Sequence, residues 1–279
     1  MTQPADDSAP YPIAMSPLPK FSIDLSETFP RLTAAPSIEA VIHWQTHAGK
    51  QLEPAALKDA LTQQLPDYPI CQSQQDIQIS AVGSPDGSSE FLQRTQWNGF
   101  RLQDEQGRHV AQFTLSGVIF SRLEPYESWD TFKAEAIRFW DLFVALAEPT
   151  VIQSLGVRYI NRILLADGEQ PSTFLKAVPY TLPGVGVSPE SFFYKDTYRV
   201  PGYPYSIHWT RTIQTEGASP IDQRALIIDI DVFTTELLQL DHNTLTQSLQ
   251  EMRWLKNKVF FGCITDTALE RFGLEQLGA

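Results

Sequence analysis

The chain has 279 residues, 42% of them hydrophobic and 11% aromatic, with a formal net charge of −12 from 33 acidic against 21 basic side chains. That apolar content fills one large core or two small ones and is far from the composition of a disordered chain. The negative charge repels phosphate backbones and anionic lipid, which disfavours broad nucleic-acid binding and membrane-surface attachment and leaves a basic partner or a small ligand.

The first twenty residues, MTQPADDSAPYPIAMSPLPK, carry five prolines and neither an early positive charge nor a continuous apolar run. They are read as a disordered proline-rich tail over 1–20 and not as a signal peptide, with order beginning near Pro36. No run of about eighteen apolar residues is present, so no helical membrane span is expected. Two widely separated cysteines, Cys71 and Cys263, read as reduced thiols, which makes the cytoplasm the expected compartment.

Ile38, Ala40, Ile42 and Trp44 alternate with Glu39, His43 and Gln45, the pattern of a half-buried strand. Glu53 to Leu65 reads as a helix with Pro54 in its first turn. Three β-type runs follow, near 76–82, 91–102 and 109–122, separated by the turn sequences SPDGSS and DEQG, which together predict an antiparallel meander. In the last run Ala111, Phe113, Leu115, Gly117 and Ile119 are assigned to one face. From Ser128 to Glu148 the spacing of Trp129, Phe132, Ala136, Phe139, Trp140 and Phe143 predicts a helix whose aromatic stripe packs on the sheet.

GVRYINRI, residues 156–163, then places two arginines, a tyrosine and an asparagine inside a strand. Alternation sets Val157, Tyr159, Asn161 and Ile163 on one face and Arg158, Ile160, Arg162 and Leu164 on the other, with the arginines roughly 13 Å apart. A guanidinium cannot lose its charge, so a partly buried one must meet a carboxylate, a phosphate or carbonyl oxygens. Asp229 and Asp231, in the later strand ALIIDIDVF, supply carboxylates with matching geometry. Either these acids neutralise the arginines across strands, or the arginines wait for an anionic ligand or an acidic peptide.

Residues 165–205 are broken by prolines, and SFFYKDTYRVPGYPY within them reads as a proline-stiffened aromatic loop. Tyr194, Tyr198, Tyr203 and Tyr205, with the cations Lys195, Arg199 and Arg211, give it the character of an interface; packing as a lid on the sheet is the other reading. Ile207, Trp209, Arg211 and Ile213 share a face of the next strand. Leu226, Ile228, Ile230 and Val232 share one in the strand after it, with Asp229 and Asp231 opposite. A helix over 243–261 has the stripe Leu245, Leu249, Met252 and Leu255, and Thr265 reads as the N-cap of a short closing helix.

The fold class is therefore α+β, an antiparallel sheet gripping two long amphipathic helices. The order suggests two related units over 36–164 and 165–279 sharing that sheet, or one curved sheet in a single domain over 21–279.

GVRYINRI after an aromatic helix resembles the internal motif of a sporadically distributed family of uncharacterised bacterial proteins. SIEAVIHW, EPYESWDTFKAEAIRFW and WLKNKVFFGCITDTALERF match further pieces, so the resemblance spans about residues 30 to 273. The start departs from the family-like PP-I-x-E-A pattern, reading APSIEA. The resemblance implies an accessory role, in a mobile or defence-like gene cluster, and carries no catalytic residues.

Catalytic signatures are weak. Asp229 and Asp231 with Glu236 could present carboxylates to a divalent ion, although the outward face of a half-buried strand produces such a pair readily. His43 and His47 fall in and just past a strand, where a zinc site is not expected. His109, His208 and His242 have no readable companion. Gly184 and Gly186 lack the third glycine and the helix of a dinucleotide loop. The sequence calls for no cofactor and no bound metal. It points to a binding or regulatory protein, antitoxin-like or sensor-like, whose partner is another protein or a small anionic ligand. The candidate surface is Arg158, Tyr159, Asn161 and Arg162 with Tyr194, Tyr198, Arg199, Tyr203, Tyr205, Trp209 and Arg211. A metal-dependent enzyme using Asp229 and Asp231 is the competing class.

Overall fold

A computed structural model describes residues 21–83, 89–126, 128–178, 182, 184–187, 189–215 and 224–274. The expected tail over 1–20 and most of the SPDGSS turn lie outside them. Among the described residues nine strands form one antiparallel sheet in the order β2-β3-β4-β5-β1-β6-β9-β8-β7. They are β1 (Ser37–Thr46), β2 (Ile70–Gly83), β3 (Ser89–Gln103), β4 (His109–Thr114), β5 (Gly117–Leu123), β6 (Ile152–Leu165), β7 (Phe193–Arg199), β8 (Tyr205–Thr215) and β9 (Arg224–Thr234). The helices are α1 (Pro54–Gln64), α2 (Trp129–Ala147), α3 (His242–Cys263) and α4 (Asp266–Arg271).

The aromatic stripe of α2 is its buried face: Trp129, Phe132, Ala136, Phe139, Trp140 and Phe143 are all covered. Trp140 stacks on Trp44 of β1 with ring centres 5.4 Å apart and planes 11° from parallel. Phe139 meets Phe113 and Phe120 of β4 and β5. Burying each such ring contributes roughly 1.5–3 kcal/mol, so this seam is a principal source of the fold's stability. The Ser128 hydroxyl accepts the Thr131 N–H at 3.2 Å and caps the start of α2. At the other end Glu148 adopts φ 49°, closing the helix just before Pro149.

Along β9 the alternation holds: Leu226, Ile228, Ile230 and Val232 are buried, and Asp229 and Asp231 point the other way. Asp241 and Thr265 cap α3 and α4 by accepting the Thr244 and Ala268 N–H groups.

Three expectations need correction. The run 109–122 is two strands. Leu115 and Ser116 make a tight turn, and Gly117 takes φ 138° with its α-carbon against the Trp44 carbonyl, where an added Cβ would sit 1.9 Å from the oxygen. The turn reverses the facing, so Val118 and Phe120 join Ala111 and Phe113 in the core while Ile119 faces away. Sequence periodicity alone does not reveal a two-residue reversal inside a continuous apolar run.

SFFYKDTYRV is not a loop. Residues 193–199 form the edge strand β7, paired with β8, and only 200–204 turn back. An edge strand is solvated on most of its surface and therefore shows little burial periodicity.

Order also starts before Pro36. Phe29 stacks on Phe261 of α3 at 5.6 Å, Phe21 packs edge-on against Trp254, and Lys258 pairs with Glu27 at 2.6 Å. These contacts lash the irregular segment 21–36 across α3 without giving it a periodic signature.

Candidate functional site

The polar residues of GVRYINRI serve both faces of the sheet. On the face turned away from the helices, Arg158 donates through Nε and Nη2 to both carboxylate oxygens of Asp229, at 2.8 and 2.7 Å. The acid–arginine neutralisation is therefore present, though the Arg158 side chain keeps 42% exposure. Arg162 lies further along the same face, opposite Ile227. Arg158→Ala should cost about 1–2 kcal/mol, because Asp229 is largely covered and would lose its bidentate partner. Urea denaturation checks this; an unchanged midpoint would mean that water replaces the guanidinium without loss.

Asp231, next along β9, has different company. His208 Nδ1 stands 3.7 Å from its Oδ2, and its Oδ1 is buried without a hydrogen-bond partner. Burial pushes the Asp231 carboxyl above its ordinary range, against the pull of His43, Arg158 and His208. Burial pushes His43 down, opposed by Asp231. His43 reaches this position because its ring lies on Gly156, the one residue of the motif without a side chain. His109 also has a companion, the Asp104 carboxylate at 2.7 Å. Sequence reading missed these partners because Asp231 is far from His43 along the chain, and the Asp104–His109 pair depends on the DEQG turn. Among the described residues no group of three or more His, Cys, Asp or Glu is placed to hold a metal ion, and both oxygens of Asp229 are engaged by Arg158.

On the helix side Tyr159 and Asn161 are buried. The Tyr159 and Tyr126 hydroxyls share a 2.7 Å hydrogen bond. Asn161 accepts from Ser37 Oγ at 2.7 Å and donates to the Ile228 carbonyl at 3.0 Å, tying three strands where the β1–β6 register slips. The aromatic candidates divide further. Tyr194, Tyr198, Trp209 and Arg211 share the helix side of β7 and β8 by register, whereas Arg199 faces with Arg158. Arg211 pairs with Asp196 and lies 3.8 Å over the Trp209 ring. Tyr203 accepts the Ile23 N–H at 3.0 Å, and the buried Tyr205 donates to Glu251 at 2.5 Å. The candidate residues therefore occupy two opposite faces and do not form one continuous surface.

A cavity of about 730 Å³ opens on the helix side. Its walls come from 25–37, the start of α2 and one face of α3, with Tyr126, Tyr159 and Asn161 among the lining residues. Two cations on α3 line it, Arg253 and Lys256. Arg253 sits 5.6 Å over the Trp129 ring, and the Lys256 ammonium 3.7 Å over that of Tyr159. Among the described residues no carboxylate lies within ion-pair distance, 4.0 Å, of either.

The Lys256 side chain is half-buried, with its ammonium laid against the Tyr159 ring. Desolvation, reinforced by Arg253, pulls its pKa from an ordinary 10.5 down to about 7. Burial also holds the phenols in their protonated form, with Tyr126 pushed up to about 12 and Tyr159 pushed well above its ordinary range. Neither cation was singled out by sequence reading. The signal was present: Lys256 falls eleven residues after Leu245 and four after Met252, on the apolar stripe of α3, where a lysine is out of place.

Compared with known proteins, the chain matches no family model and no curated sequence. No helix among the described residues is long and apolar enough to cross a membrane.

Proposed function

We propose that this protein acts by binding, as a receptor for a small anionic ligand seated in the cleft between segment 25–37, the start of α2 and α3. The observation that carries the reading is the pair Arg253 and Lys256, two basic groups on one cavity wall with no carboxylate partner among the described residues, in a chain of net charge −12. Desolvated cations demand countercharge, and where the protein withholds it a ligand can supply it. Trp129, Trp254, Phe29 and Phe260 add apolar wall for the ligand's body.

On this reading the sheet consists of two related units over 36–164 and 165–279, β1–β6 with α2 and β7–β9 with α3, meeting at the antiparallel β6–β9 pair and gripping the two long amphipathic helices. The cleft then lies at their junction, where occupation would bias how the helices pack, a suitable arrangement for a sensor or regulator in an accessory role. A protein partner is the second reading. It is favoured by the edge position of β7 and by the exposure of Phe193, Tyr194 and Tyr198, at 69%, 47% and 49%.

Titration calorimetry with AMP and 2-oxoglutarate as probes tests the first reading. At least one should bind, and Arg253→Ala should weaken that binding about tenfold or more, with the remainder sensitive to salt. Absence of heat and of any melting shift with both probes would overturn it.

A further inference from the structure

We infer that Lys256 is a carbonyl-capturing amine, condensing reversibly with the keto group of a 2-oxo acid whose carboxylate is held by Arg253. This rests on the anion-receptor reading of the cleft and goes beyond it by naming a covalent step and a ligand class.

The cluster that supports it has three parts. Lys256 and Arg253 are three residues apart on α3, so they are neighbours on one helix face. A 2-oxo acid carries its carboxylate and its electrophilic carbon on adjacent atoms, which suits a guanidinium and an amine in that relation. The third part is the Tyr126–Tyr159 hydroxyl pair at the edge of the ring over which the Lys256 nitrogen lies. Of the charged groups bordering the cleft, only Arg253 acts on the amine. Arg253 opposes its protonation, while Glu27 and Arg31 from the N-terminal segment and Asp130 from α2 stand on the cavity wall without a carboxylate reaching ion-pair distance of it.

Near neutral pH a large share of Lys256 is therefore free amine, whereas an ordinary lysine is almost wholly protonated. The lone pair attacks the keto carbon to form a C–N bond, and the carbonyl π pair moves onto oxygen, which the phenol pair can hydrogen-bond. The nitrogen then loses its two protons, the oxygen departs as water carrying the equivalent of both, and a C=N bond remains. Amine plus ketone gives imine plus water, with no oxidation or reduction. Reversal by hydrolysis releases the ligand unchanged.

The experiment is reductive trapping of the full chain at pH 7 with pyruvate or 2-oxoglutarate and cyanoborohydride, followed by peptide mapping. Lys256 should be labelled at least tenfold faster than any other lysine. Arg253→Ala should slow labelling by the oxo acids but not by acetone, which has no carboxylate. Even labelling across all lysines overturns the inference. So does calorimetric binding of 2-oxoglutarate with no adduct at Lys256, and in that case the anion-receptor reading survives. Neither binding nor adduct removes both.

Discussion

Lys256→Met should make the protein more stable at pH 7, by on the order of 2 kcal/mol, and the advantage should fade toward pH 10.5. In the unfolded chain this lysine holds its proton up to about 10.5; in the folded chain it releases it near 7. Between those values the unfolded state binds more protons, so wild-type stability attributable to this group rises with pH across the window. Below pH 7 the desolvation cost is fully present, and at pH 7 it is nearly so. Methionine keeps the apolar stem and removes the ammonium, losing only the contact with the Tyr159 ring. Melting curves at pH 7 and pH 10 measure the difference. A variant equal to wild type at pH 7, or a gain that does not shrink at pH 10, would show that water or an unrecognised acceptor already solvates the ammonium. A positive result would mark a group kept at a cost to stability, as binding and reactive residues commonly are.

Gly156→Ala should cost about 2 kcal/mol, and most of that loss should disappear in a His43→Ala background. A Cβ at 156 would stand 2.1 Å from His43 Cε1 and 2.5 Å from Nε2, so the imidazole must leave its place against the strand. Moving it uncovers the face carrying Asp231 and exposes the ring's apolar contacts. Were sterics absent, alanine would be the better strand residue and the substitution would stabilise slightly. The double-mutant cycle separates the two effects: coupling above about 1 kcal/mol identifies the ring, and additive behaviour would place the cost in the backbone. Urea denaturation of the four proteins supplies the measurement.

Much of the fold was legible because burial imposes period. The α2 stripe, the 37–46 strand and the alternation of ALIIDIDVF each follow from one covered face and one open face. Where an element escapes that rule the sequence was silent or misleading. β7 is an edge with little to bury, segment 21–36 is irregular and held by scattered rings, and the Leu115–Ser116 reversal interrupts an unbroken apolar run. The pairing of Arg158 with an acid of the later strand could be anticipated, since charge and alternation together limit the partners. The choice of Asp229 over Asp231 could not, because Asp231 is the residue in register with Arg158 and the guanidinium reaches diagonally past it.

From its order of residues alone the protein is an acidic α+β chain whose strands and helices have assigned inner faces, with a motif whose arginines require negative charge nearby. Those properties are local, set by the spacing of apolar groups along one element. Only the folded sheet decides which arginines are already neutralised, that His43 comes to rest on Gly156, and that Arg253 and Lys256 border one cavity with no carboxylate of the described residues within ion-pair distance of either. Charge compensation and desolvation depend on distances between segments far apart in the chain, and no periodicity within one segment encodes them.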